Sequence, residues 1–287
     1  MIHVTKKNKS AIQRRLIPTY IFLIIVSFIS VFPLYWMISA ATNTSTDVSR
    51  GRIIPGSHFM ENFRNLTSQQ PLWRALGNSF FYAILTTVIC LLICSIAGYG
   101  FEVYHDKWKD RVFSILLLAM MVPQVATMVP LFKMFSKAGL LNTAVGFILP
   151  IISTPFMIMM FRQNARSFPV DIIEAARIDG LNEVRIFFQM FIPTMKSTYA
   201  AAAVITFMNA WNSYLWPKVI MTDNKAMTMP MLIANLITGY VTDYGMLMCG
   251  VLFCSIPTMI VFFVLQKQFA EGITGSSQNK KTEKEKI

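Results

Sequence analysis

Residues 78–101 read NSFFYAILTTVICLLICSIAGYGF, an apolar block without a single Lys, Arg, Asp or Glu. Crossing a ~30 Å hydrocarbon layer as a helix takes about 20 such residues, so this stretch is expected to span a bilayer. Five further blocks meet the same requirement: 17–39, 112–132, 144–161, 199–220 and 246–266. The fold class expected is therefore all-α, a polytopic membrane protein with six transmembrane helices. Composition agrees, since 54% of the 287 residues are hydrophobic and 14% charged, where soluble domains run at about 45–50% and about 25%. An ordinary soluble globular domain is excluded.

The first block follows Lys6, Lys7, Lys9, Arg14 and Arg15, as a signal peptide would, and Ser39-Ala40-Ala41 resembles a cleavage site. Its apolar run exceeds the about 7–15 residues of a signal core, so it is expected to be an uncleaved anchor. With the amino terminus inside, 18 of the 26 Lys and Arg fall on that side and 8 on the other. The positive-inside rule then places both termini in the cytoplasm. On this reading the net charge of +12 marks membrane orientation, and no nucleic acid is expected as a partner. Cys90, Cys94, Cys249 and Cys254 all lie in apolar stretches without partner histidines, which points to buried structural thiols rather than to a metal site or disulfides. His3, His58 and His105 lie outside the apolar blocks.

None of the 14 acidic residues falls within a span. Ion-coupled carriers keep ionisable groups at membrane depth because such groups are costly there and persist for function, so an autonomous carrier is disfavoured. The Gly-Lys pair of a phosphate-binding loop is also missing from the sequence. Any energy for active transport must come from another polypeptide. No nucleophile, base and oxyanion constellation is visible, so the chain is not read as an enzyme.

Residues 162–198 are too polar to cross the membrane and too patterned for a linker. Ser167 or Phe168 can cap a helix that holds Pro169 and Asp171 in its first turn and stops at Gly180. Ile172, Ala175, Ala176 and Asp179 share one face, with Glu174 alongside. Asn182 can cap a second short helix over 183–191, closed by Pro193. Long ordered connections are more often functional than short ones, although an amphipathic hairpin that only joins two spans fits the same residues.

The run Glu174-Ala175-Ala176-Arg177-Ile178-Asp179-Gly180, followed by Ile192-Pro193, resembles the EAA loop of ABC-importer permeases. More narrowly, the chain resembles the MalG-like permease subunit of the carbohydrate uptake family. Val122-Pro123, Gly139-Leu140-Leu141-Asn142-Thr143, Leu149-Pro150, Arg162-Gln163, Trp211-Asn212, Leu215-Trp216-Pro217, Gln266-Lys267-Gln268-Phe269 and Glu271-Gly272 match in the same order. Leu181 stands where that family commonly has a small residue, and Ser213 where it often has an acid.

The resemblance implies a type I importer (MetI-like) permease fold with its core over residues 72–266, a cytoplasmic tail over 1–16 and a coupling loop over 162–198. Residues 272–287, rich in Ser, Gln and Lys, are expected to be disordered. It further implies that Glu174, Ala175, Ala176, Asp179, Gly180 and Pro193 form the coupling segment seated on a cytoplasmic ATPase. The expected partners are a homologous second permease subunit, a dimer of ABC ATPase subunits and an extracytoplasmic sugar-binding protein. No cofactor is expected on this chain, because ATP and magnesium belong to the ATPase.

Asn209, Asn212, Tyr214 and Trp216 in the outer half of the fifth span suit a carbohydrate passage, since sugars are bound by amides and by aromatic faces. The same Trp and Tyr also suit an interfacial belt, and the asparagines interhelical contacts. The outer loop over 218–244 is apolar enough over 232–240 to re-enter the bundle, and the first outer loop, 41–77, is a candidate docking surface. The reading is a permease subunit that carries a carbohydrate, with an oligosaccharide first, across a bacterial cell membrane. Alternatives are an ABC permease for a glycerol phosphate ester or an amino acid, and an autonomous secondary carrier.

Overall fold

A computed structural model of the chain describes residues 6–238 and 242–284, with side chains over 17–238 and 242–266. Among these residues every regular element is helical. The chain divides into two compact units, Met1–Gln70 with Leu236–Phe253, and Pro71–Asn235 with Cys254–Ile287.

The first unit opens on α1, Lys6–Ala41, whose large apolar side chains are exposed from Ile17 through Leu34. Two short helices follow, α2, Ser45–Ser49, and α3, Phe59–Gln69. The connection around them is folded onto a buried amide pair. Asn62 donates to the carbonyls of Ala41 and Asn43, each at 2.9 Å, and Asn43 donates to those of Ser39 and Ile54 at 2.9 and 3.0 Å. A Cβ on Gly245 would lie 2.7 Å from the Asn43 carbonyl oxygen, so only glycine admits this approach.

The second unit is built around α4, Leu72–Val103. It continues through α5, Lys107–Ala119; α6, Gln124–Lys137; α7, Ala144–Ile148; α8, Pro155–Ala165; α9, Val170–Ile178; and α10, Glu183–Ile186. After a π-helical turn, Phe187–Phe191, come α11, Ile192–Thr194; α12, Lys196–Trp211; α13, Leu215–Ile220; a 3-10 turn, Asn224–Ala226; and α14, Met229–Ile237. The last helix, α15, Tyr244–Lys284, starts in the first unit and enters the second at Cys254. Disorder is expected from Gly272 on; the backbone is helical to Lys284, because extending an existing helix avoids the cost of nucleating one. Residues 285–287 lie outside the described residues.

Among the described residues, three helices are long and apolar enough to cross a membrane unaided: Ile17–Ala41, Leu72–Val103 and Tyr244–Gln266. The other three expected spans are interrupted, and prolines explain where. Residues 112–132 are shared by α5 and α6, which meet at a 100° bend just before Pro123. In 144–161 the backbone is irregular from Leu149 to Thr154, and α8 restarts with Pro155 in its first turn, where its missing N–H costs nothing. In 199–220, α12 ends at Trp211 and α13 begins at Leu215. A continuous helix would press the Pro217 ring against the Ser213 carbonyl and deny that carbonyl a donor.

The core of this unit is the contact of α4 with α8 and α12. Ser79, Ala83, Thr86, Cys90, Cys94 and Gly98 lie buried on one side of α4, whereas Ile84, Val88, Leu92 and Ile96 lie exposed on the other. Cys90, Cys94, Phe161 and Ala202 pack together, and all four cysteines are free thiols. At Gly98 a Cβ would fall 2.6 Å from Phe161 Cβ and 2.7 Å from the Arg162 backbone nitrogen, so α4 and α8 touch there backbone to backbone.

Neighbouring Gly100 has nothing within 4 Å of a Cβ position, which makes a matched pair for measurement. Gly98→Ala is expected to destabilise the chain by about 1–3 kcal/mol, the usual range for overpacking. Gly100→Ala should be neutral or slightly stabilising, since it only raises helix propensity. Thermal melts of both variants in one detergent would check the difference.

Candidate functional site

The loop expected to couple is an ordered hairpin. Helix α9 begins one step later than expected, with Pro169 as its extended N-cap residue rather than Ser167 or Phe168. It stops in a full left-handed cap. Gly180 adopts φ +79°, its N–H donates to the Arg177 carbonyl at 3.1 Å, and the Leu181 N–H donates to the Ala176 carbonyl at 3.0 Å. This is the Schellman pattern, which is normally completed by an apolar contact from the residue after the glycine. Leu181 supplies that contact by packing on the apolar core beneath, so its size is used and does not loosen the turn.

Asn182 then caps α10, its side-chain oxygen accepting from the Arg185 N–H at 2.9 Å. Pro193 lies just past the π-helical turn, in which the Ile192 N–H reaches back to the Phe187 carbonyl. A proline cannot donate and crowds the carbonyl four residues before it, so the helix widens ahead of it and bends into α12.

Ala176 does not share the outward face assigned to it from spacing. With Ile173 it is buried against Tyr99, Phe168, Ile186, Phe187 and Phe191. The exposed face carries Asp171, Glu174, Ala175, Ile178 and Asp179, at the i, i+3, i+4, i+7 and i+8 positions of one helix side. Ile178 is 86% exposed. The α9 face is therefore apolar at its centre and ringed by three carboxylates.

The hairpin is also tied to the end of α4. Arg177 Nε donates to Glu183 Oε1 at 2.7 Å across the glycine turn, and its guanidinium lies 6.0 Å from the Tyr104 ring centroid. The hydrogen bond from Arg177, with a further one involving Tyr104, holds the Glu183 carboxyl below its ordinary range.

A second charged group escaped the sequence reading. Arg162, 5% exposed, donates from Nε to Glu102 Oε2 at 3.2 Å and from Nη2 to Asp110, with the Phe113 ring centroid 4.3 Å from its guanidinium. Arg166 reaches the same Glu102 oxygen at 3.4 Å, and His105 Nε2 lies 2.8 Å from Asp110 Oδ2. The hydrogen bond from Arg162 holds Asp110 below the usual carboxylate range. The partners come from separate segments, so only an arginine at the end of an apolar block hinted at the cluster.

The four residues assigned to a passage separate into two groups. Asn209 near the end of α12 and Asn212, its C-cap, are exposed, and Tyr214 is half-exposed at the break that follows. Trp216 is not available to line a passage. It is 3% exposed, its Nε1 donates to the Gly146 carbonyl at 3.0 Å, and it meets Phe135 edge-on at 5.3 Å. The chain between α13 and α15 folds back on the bundle, since Met229 and Leu232 are buried and the Met229 N–H donates to Ser79 Oγ at 2.8 Å; residues 239–241 lie outside the described residues.

Residues 91–275 match the family of binding-protein-dependent transport system inner membrane components, and the chain belongs to that family. It is thus a multi-pass membrane protein of a transport family. It is 40% identical over 269 residues to a lactose transport system permease protein of Rhizobium radiobacter, covering 93% of this chain and 98% of that one. It is 36% identical over 254 residues to an arabinooligosaccharides transport system permease protein of Halalkalibacterium halodurans, covering 87% and 91%. Its fold resembles a subunit in the crystal structure of a bacterial ABC transporter involved in the import of the acidic polysaccharide alginate, with a TM-score of 0.78, 20% identity, and coverage of 94% and 100%.

The Gly180 cap makes a sharp local prediction. No atom lies within 4 Å of a Cβ there, so any penalty is backbone strain, about 1–2 kcal/mol for an L-residue in the left-handed region. Gly180→Asn should keep the hairpin, because asparagine tolerates that region, whereas Gly180→Val should loosen it. Hydrogen exchange of the amides over 175–186 would separate the two variants, with the amides of α4 unchanged in both.

Proposed function

We propose that the chain is one of two homologous membrane subunits of an ATP-driven importer, and that the outward face of α9 is where a cytoplasmic ATPase docks. The observation that carries this is Ile178, 86% exposed and ringed by Asp171, Glu174 and Asp179. An apolar side chain at the tip of an ordered hairpin favours a partner, since its burial contributes about 1.5–3 kcal/mol. Glu174 and Asp179 would make charge-assisted bonds to basic groups at the rim of the partner's groove, while Ala175 leaves room for close approach. Both termini and this hairpin would lie in the cytoplasm, by the distribution of Lys and Arg.

The work of the chain is mechanical on this reading. Closure of an ATPase dimer moves the docked hairpins, and the hairpin passes that motion to the bundle because α9 and α10 share a core with Tyr99 of α4. The membrane subunits then rock between inward and outward access. An extracytoplasmic binding protein would deliver the substrate, in keeping with the family.

We infer that the substrate is a carbohydrate, an oligosaccharide first. The two sugar-system relatives support this, as does the chemistry of the exposed α12 face. Asn209 and Asn212 offer paired donors and acceptors, and no acid lies in the spans to fix a charged solute. Non-helical backbone such as the break at residues 212–214 is tolerated within a bilayer only in protein or against a wet cavity, which suits a passage there.

Two experiments test the two halves separately. Affinity purification of the tagged chain from mild detergent should recover an ATPase and a second membrane subunit. Glu174→Lys or Ile178→Asp should remove the ATPase at least tenfold while leaving the chain in the membrane; unchanged ATPase recovery in both variants would overturn the docking assignment. For the passage, Asn209→Leu with Asn212→Leu should cut uptake of the substrate severalfold with the ATPase still bound. Uptake at the parental rate would place the passage elsewhere.

A further inference from the structure

Beside the Arg162 cluster, α5 and α8 enclose an open groove of about 220 Å³ lined by Phe113, Leu117, Met159, Arg162, Gln163 and Arg166. Its lining changes character along its length. Phe113 and Leu117 come from α5 and Met159 from the middle of α8, while Gln163 and Arg166 stand at the end of α8 from which the chain runs on to the hairpin. The groove is thus apolar along one part and cationic at one end.

We propose that this groove seats an anionic phospholipid, its chains against Phe113, Leu117 and Met159 and its phosphate at Arg166 and Gln163. The proposal rests on the chain's embedding in a membrane and not on the docking of an ATPase. Arg162 is buried and bonds Glu102 through Nε and Asp110 through Nη2, so its charge is already balanced by two carboxylates and it forms the floor of the groove. Arg166 is different. Its side chain is 61% exposed, and Nε alone bonds a carboxylate, at 3.4 Å. Its two Nη groups make no hydrogen bond to the described residues, and they form the planar fork that binds phosphate oxygens in pairs.

Charge and depth around the groove point to a lipid headgroup. Lys107 and Arg111 are exposed on the adjoining turn and make no ion pair among the described residues, while Trp108 beside them is 69% exposed. Exposed tryptophan next to basic residues is the pattern of the membrane–water boundary. Basic pockets between spanning helices at that depth bind anionic headgroups, and each nearby cation adds about 1 kcal/mol, a factor of about five.

Native mass spectrometry of the full purified chain, titrated with phosphatidylglycerol or phosphatidylcholine, tests this directly. Phosphatidylglycerol is expected to bind about fivefold tighter, to resist excess inorganic phosphate, and to fall to the phosphatidylcholine level in Arg166→Gln. Arg64→Gln, which removes an exposed charge from the other unit, should leave the preference intact. Equal binding of the two lipids, or a preference that survives Arg166→Gln combined with Arg111→Gln, would overturn the proposal. So would a preference that vanishes when the second membrane subunit co-purifies, because the groove would then belong to a protein neighbour.

Discussion

The second unit depends on how closely α4 can approach α8. In a hydrocarbon layer the hydrophobic effect does not drive helices together, so association rests on contact between surfaces and on the few polar bonds they share. Gly98 permits the closest approach, with the backbone of Phe161 and Arg162 resting where a side chain would otherwise stand. That contact sets the position of Arg162, whose guanidinium can then reach acids on both α4 and α5. It also sets the direction in which α8 leaves the bundle, and hence where the hairpin that follows it comes to lie.

The hairpin is held in the opposite manner, by short-range chemistry. A left-handed glycine closes α9, an asparagine opens α10, and Arg177 and Glu183 bridge the turn. Underneath, aromatic rings tie the hairpin to α4, with Tyr99 edge-on to Phe187 and Phe191 at 5.4 and 4.9 Å. Local caps give the element its shape, and the aromatic core makes it move with the bundle. The proposed transmission of a displacement would need both, since a hairpin without the core would swing freely on its two connections.

Interrupted helices give the other functional half its character. Pro123, Pro155 and Pro217 each cut an apolar segment that composition alone would leave intact, and the irregular backbone they create is stable only against protein or water. Trp216 shows the consequence. Its place after the break, with Asn209 and Asn212 before it, suggested a surface for sugar, but the indole packs inward from α13, edge-on to Phe135 and with its N–H donated to the Gly146 carbonyl. Asn209 and Asn212, just before the break, keep the exposed side.

Hydropathy alone determined that the chain belongs in a membrane, and glycine, proline and asparagine alone determined where the hairpin turns, because both depend on residues adjacent in the chain. The spacing of Glu174 and Asp179 likewise placed the acids on one helix side. Which side faces out was decided only by tertiary packing: Ala175 and Ala176 are neighbours in sequence with equal propensities, and the aromatic core beneath took one and left the other exposed. The same holds for Arg162 and its acids, whose attraction exists only after α4, α5 and α8 have been brought together.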